Sequence, residues 1–156
     1  MTGWRVYADT YNNDSELGTK SCKVKFGKNI ILQYSPTWII FYNDPPVTSL
    51  KMEIYSDNDG SIGSLLHTST NQPTKSQMIS LENGIKHISF LWNNIQLDGV
   101  NWYHFVLNGT TSGLSASSTI AWKHSFPDPV YRTGLALSLE ELQVTPYDIY
   151  FIGAEL

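Results

Sequence analysis

Apolar and polar residues alternate along most of this chain in short runs, with turn residues between them about every eight to twelve positions, a spacing that predicts strands rather than helices. Leu50, Met52 and Ile54 alternate with Lys51, Glu53 and Tyr55, the pattern of a strand with one buried and one wet face. Ile88, Phe90 and Trp92 take one parity and His87, Ser89 and Leu91 the other, and Ile120 and Trp122 alternate with Ala121 and Lys123. Trp4 to Ala8 predicts a first strand, Leu65 to Thr70 and Gln77 to Leu81 two more, and YDIYFIGA from Tyr147 a last one. The densest stretch is IQLDGVNWYHFVLNGTT, Ile95 to Thr111, where the Asp98-Gly99 turn leads into aromatic and β-branched residues that stop at Asn108-Gly109. Large apolar groups occupy both of its parities, so a strand covered on both faces is expected. The run WIIFY, Trp38 to Tyr42, is fenced by Pro36 and by Asp44-Pro45-Pro46 and reads as a strand with hard limits.

Between these strands, TYNNDSELGTKS and the serine-rich TSGLSASST read as loops, and SFPDPVYRTG as a corner. Gly27-Lys28-Asn29 has the length of a hairpin connection between Lys23–Phe26 and Ile30–Tyr34. ALSLEELQ, Leu135 to Leu142 with its flanks, is the single stretch with helix formers at an apolar spacing. The expected fold is all-β, an antiparallel β-sandwich of jelly-roll type with about ten strands and at most one short helix. With 156 residues the chain fits one domain, residues 1–156, without a repeat or linker.

Charged residues make up 15% of the chain, and 17 Ser, 13 Thr and 11 Asn solvate the surface instead. The net charge is -4 and the ten Lys and Arg are scattered, which argues against a nucleic-acid surface. No apolar run has the length of a membrane span, so no membrane insertion is expected, and MTGWRVYADT lacks the plan of a signal peptide. Cys22 is the only cysteine and reads as a small buried hydrophobe, which leaves no disulfide framework and no thiolate metal cluster.

Asp57-Asn58-Asp59-Gly60-Ser61 begins like an EF-hand loop, but Ile62 and Thr68 fall where its glycine and its bidentate glutamate belong. A glycine-assisted hairpin turn is the reading, with no metal and no cofactor. His67, His87, His104 and His124 have no zinc spacing, although His87 and His104 become neighbours if their strands pair. No G-x-S-x-G elbow exists, and Asp98, Asp128, Glu140 and Glu141 each have a structural explanation, so no catalytic residue is expected and the chain reads as a non-enzyme. Aromatics remain as the signal. Trp38, Trp92, Trp102 and Trp122 lie in strands and read as core, whereas Tyr11, Tyr131 and Tyr147, with Asp128, lie in loops or at strand ends and are the ligand-contact candidates.

One resemblance emerges from the order of motifs: IYSDNDGSIGSLLHTST, a strand ending FLW, LDGVNWYHFVLNG, a serine-rich loop leading to IAWKHS, a Tyr131 to Gly134 corner and a terminal DIYFIGAEL. Over residues 48–156 this resembles the jelly-roll modules, with an LxxGxxYWxxL strand and a closing DxxFRxYG strand, of bacterial surface proteins and of phage fibre and other virion proteins. Residues 1–47 would then add N-terminal strands and a loop. The resemblance implies a phage virion component, a head decoration or tail fibre protein, acting by protein–protein contact and by surface-glycan attachment; the alternative is a carbohydrate-binding module or adhesin of a bacterial surface. Release by lysis would place it on the virion surface or outside the cell without a signal peptide. The surplus of apolar residues on both parities predicts association, with Trp38, Phe41 and Tyr42 as assembly contacts, either as a homo-oligomer, a trimer by analogy with fibres, or against other virion proteins.

Overall fold

The computed structural model describes residues 4–6, 12–14, 19–44, 49–109, 119–122, 132–134, 141–143 and 149–156. The strands are β1 (Trp4–Val6), β2 (Asn12–Asp14), β3 (Thr19–Val24), β4 (Ile30–Tyr42), β5 (Leu50–Asn58), β6 (Ser61–Thr68), β7 (Ile79–Ser80), β8 (Ile85–Leu97), β9 (Tyr103–Gly109), β10 (Thr119–Trp122), β11 (Arg132–Gly134), β12 (Glu141–Gln143) and β13 (Tyr150–Glu155). Seven of these, β3, β4, β5, β6, β8, β9 and β13, are six residues or longer, and the rest are pieces of two to four. The helical pieces among the described residues are two three-residue 3-10 turns, Lys75–Gln77 and Glu82–Gly84. The fold is all-β, and the sheets are antiparallel throughout.

One main sheet has the order β2-β3-β9-β5-β6 and the other β12-β13-β4-β8-β7, with β10 on the β13 side of β4; β1 and β11 form a separate pair. Pairing is nested along the chain. The β5–β6 hairpin is innermost, β4 pairs β8 outside it in the second sheet, and β3 pairs β9 outside that in the first. The hairpin closes on Asp59 and Gly60 at φ +49° and +90°, two consecutive left-handed residues, as a tight two-residue turn requires.

The two sheets pack face to face through rings. Phe105 of β9 stands 5.0 Å from Phe151 of β13 and 6.4 Å from Trp92 of β8, and Phe26 lies 5.1 Å from Phe151. Around them pack the residues that alternation assigned inward: Leu50, Met52 and Ile54, Ile88 and Phe90, Tyr103 and Leu107. The indole N–H of Trp92 would be orphaned at this depth; it donates to Ser35 Oγ at 2.9 Å, which explains a fully buried serine on an apolar strand. A register shift in the β4–β8 ladder, with Asn94 at φ +47°, moves the inward parity of β8 from Ile88, Phe90 and Trp92 to Ile95 and Leu97.

Several expectations change. Lys23–Phe26 and Ile30–Tyr34 do not form a hairpin: β3 and β4 belong to different sheets, and Gly27 to Asn29 is a crossing. That crossing is clamped to the β8–β9 turn, since Gly27 N donates to Gly99 O at 3.0 Å and Gly99 N to Asn29 Oδ1 at 3.0 Å. A Cβ on Gly99 would sit 2.1 Å from Lys28 N, so only glycine fits there. Pro36 does not end a strand; β4 runs through it, in the interval where one edge passes from β13 to β10, where a residue without an N–H is tolerated. TYNNDSELGTKS contains β2, which folds back on β3. The expected helical turn over Leu135–Leu142 ends instead in β12, paired with β13, and its first part lies outside the described residues. Gln77 to Leu81 splits into a 3-10 turn and β7.

The expected wet face of β5 is also drier than its alternation suggests. Glu53 is 4% exposed, and it accepts a 2.7 Å hydrogen bond from Asn108 Nδ2 with Lys51 Nζ 4.0 Å away. On the same face of β9, His104 and Val106 are buried, so this strand is covered on both sides as expected.

Candidate functional site

Described residues form two surface depressions, among others on the surface. The larger, about 530 Å³, opens beside the outer face of β8 and is lined by Asn71, Gln72, Pro73, Gln77, Ile79, His87, Ile88, Ser89 and Leu91. Its wall starts as plain strand geometry. Residues of β8 with the parity opposite to the core, His87, Ser89 and Leu91, point outward, and their register partners on β4 are Trp38, Pro36 and Tyr34. The outward β8 residues of the groove therefore stand next to a row running Tyr34, Pro36, Trp38 along β4. Tyr34 is 45% exposed and Leu91 37%, while Trp38 is half-buried with its ring 4.6 Å from that of His87.

The far wall is built by side chains that substitute for a strand. Asn71 Oδ1 accepts from Leu91 N at 2.8 Å and its Nδ2 donates to Ser89 O at 2.9 Å, so this amide is spent on the edge of β8. Gln72 and Gln77 are each held by one end only. Gln72 Nε2 donates to Ser49 Oγ at 3.1 Å, and Gln77 Oε1 accepts from Thr74 N at 2.9 Å. The two amides therefore present opposite chemistry, a carbonyl oxygen on Gln72 and N–H groups on Gln77. Among the described residues no carboxylate, Lys or Arg lines the groove. Burial holds the His87 imidazole below its ordinary value of 6.5, so it is neutral at neutral pH.

The second depression, about 410 Å³, lies at the β5–β6 and β8–β9 turns and is lined by Ser56, Asp57, Leu66, Asp98, Val100, Asn101, Trp102 and Tyr103. Its carboxylates are committed to the protein. Asp57 Oδ1 meets His104 Nε2 at 2.7 Å and Oδ2 accepts from Gly60 N at 3.2 Å, which makes the acidic turn a capped hairpin. Asp98 Oδ1 accepts from Val100 N and Asn101 N, and Oδ2 from Asn101 Nδ2 and Tyr103 Oη. Trp102 is half-buried here, with Lys25 Nζ 5.8 Å from its ring. Among the described residues no group of three or more His, Cys, Asp or Glu side chains gathers.

This network makes a pH prediction. Burial pushes the Asp98 carboxyl up, but the bonds from Asn101, Tyr103 and Val100 outweigh it and hold it below its ordinary value of 3.8. Burial, then the Asp98 carboxylate, pushes the Tyr103 hydroxyl up from 10.0 to about 12. A depressed carboxyl contributes stability that is present above 3.8 and lost as pH falls through its lower folded value; a raised phenol contributes stability present below 10.0 and lost as pH rises toward about 12. Denaturant melts across pH are expected to show both declines, and Tyr103→Phe to shallow the alkaline one. An alkaline limb identical in the variant would remove Tyr103 from that role.

Of the residues the sequence marked out, Tyr11, Tyr131, Tyr147 and Asp128 lie outside the described residues. Trp38 faces outward beside the groove. Phe41 faces inward, 9% exposed and part of the core, because it shares parity with Ile39; it is not a surface contact. Tyr42 closes β4 opposite Thr119. His87 and His104 are on different sheets, and His104 takes Asp57 as its partner instead. Sequence reasoning missed Tyr34, Gln72 and Gln77. Tyr34 shares the parity of Trp38, a signal hidden by ending the strand at Pro36; the glutamines carry no sequence signal. Comparison with models of protein families and with curated proteins brings no match to this chain.

Proposed function

We propose that this protein is a non-enzymatic binding module that holds surface glycan in the groove beside β8, on a jelly-roll domain of the kind carried by phage virions and bacterial surface proteins. The observation that carries the reading is that Leu91, Ser89 and His87, which line the groove, are the register partners of Tyr34, Pro36 and Trp38 on β4. Rings and apolar side chains offer flat surface to the C–H face of a sugar, and the Gln72 oxygen and Gln77 N–H groups in the lining suit hydroxyls, which both donate and accept. The nested strand pairing supports the jelly-roll reading, and a charge-poor surface rich in Ser, Thr and Asn suits a protein that works outside the cell. In this proposal the protein acts on a head or tail of a virion, as a decoration or fibre protein, and reaches the outside by lysis.

A second reading rests on the same face. Exposed Tyr34 and Leu91 lie directly opposite each other on neighbouring strands, and Ile79 at the rim is 59% exposed, which is a contact surface for a second copy, a trimer or another virion protein. A glycan array with the purified protein, run beside light scattering, separates the two. Binding by the wild type that is lost in Tyr34→Ala supports the glycan reading; no glycan signal together with a concentration-dependent oligomer that Tyr34→Ala dissociates replaces it with the assembly reading.

A further inference from the structure

We infer that the groove and its aromatic row select an uncharged, extended oligosaccharide, and that neither a single sugar nor an acidic glycan fills the site; this rests on the glycan reading above. Length comes from strand geometry. Tyr34 and Trp38 are four residues apart on one face of β4, so their Cα positions are roughly 13 Å apart, farther than one pyranose ring reaches. The groove continues the site sideways. Leu91, Ser89 and His87 are the register partners of Tyr34, Pro36 and Trp38 and also line the groove, so a chain lying along the row passes the Gln72 and Gln77 amides as well.

Charge selection comes from what lines the site. An anionic sugar placed there would give up water around its carboxylate and, among the described residues that line the groove, meet no Lys, Arg or charged His in exchange, a desolvation cost without a partner. A neutral hydroxyl loses nothing comparable. One amide end of each glutamine is already satisfied within the protein, which leaves an acceptor on Gln72 and a donor on Gln77 for a hydroxyl.

The test uses the whole chain and an array of glycans graded from one to six units, each neutral backbone printed beside its sialylated or uronate-bearing counterpart. The expected result is a signal that rises at least about tenfold from monosaccharide to tetrasaccharide, favours neutral members and changes little with salt. Tyr34→Ala, at a 45% exposed position, should lower tetrasaccharide affinity roughly tenfold, the size of one lost aromatic contact, with an unchanged thermal melt. Trp38→Phe keeps a ring and should lose less. Equal binding of a monosaccharide, or a preference for acidic members, would overturn the inference and leave the glycan reading standing. No binding to any member would overturn both.

Discussion

Phe105→Ala is expected to destabilise the protein by about 3–5 kcal/mol, the largest effect of any single truncation considered. Phe105 has no exposed surface, and from β9 its ring reaches across to Phe151 of β13 at 5.0 Å and Trp92 of β8 at 6.4 Å, with Phe26 at 6.1 Å. Removing it deletes contacts on both sides of the interface and leaves a cavity whose walls are strands locked by ladders, so little collapse is available to fill it. For a chain of this length each kcal/mol lowers the melting temperature by about 2–4 °C, so a fall of roughly 10 °C is expected. Phe105→Leu, which keeps most of the volume, should lose about half as much or less. Denaturant unfolding of the two variants measures both; a loss below about 1 kcal/mol in the alanine variant would mean that the ring does not join the sheets.

Glu155→Gln is expected to cost about 2–4 kcal/mol although it changes a single atom. The Lys28 side chain is 7% exposed and its ammonium lies 3.1 Å from Glu155 Oε1, in range to balance its charge but not in hydrogen-bond geometry. Neutralising the carboxylate strands a positive charge in the crossing between β3 and β4. The converse change should be mild. Lys28→Met removes the buried charge and leaves Glu155, whose side chain is 29% exposed, to water. The order E155Q far below K28M in stability is the signature, and the double variant should recover most of what E155Q loses. Equal stability of E155Q and wild type would show that Glu155 does not balance the Lys28 charge.

The difference between these two predictions follows what a sequence carries. Phe105 was readable as core because Tyr103, Phe105 and Leu107 share one parity between two turn signals, and burial on that parity follows from the two-residue repeat of a strand. Lys28 was not readable: it sits in a three-residue connection that by length alone suggests a hairpin.

Local pattern therefore determined that the chain is all-β, where most long strands lie, which parity of β5 and of the first half of β8 faces the core, that β9 is covered on both faces, and that Asp57 to Ser61 turns as a hairpin. Each of these depends on residues within a few positions of one another. Only the tertiary structure decided which strands pair, because β4 against β8 and β3 against β9 are contacts between segments far apart in the chain. It also decided that β4 passes through Pro36, since the tolerance for a missing N–H depends on which strand stands beside it. The candidate site belongs to this second class. Tyr34 of β4 stands beside Leu91 of β8 because register pairs them, and Gln72 and Gln77, from the segment before β7, share a groove with His87 and Leu91 because Asn71 fastens that segment to the edge of β8. Periodicity tells a residue which way to face; only pairing tells it what it faces with.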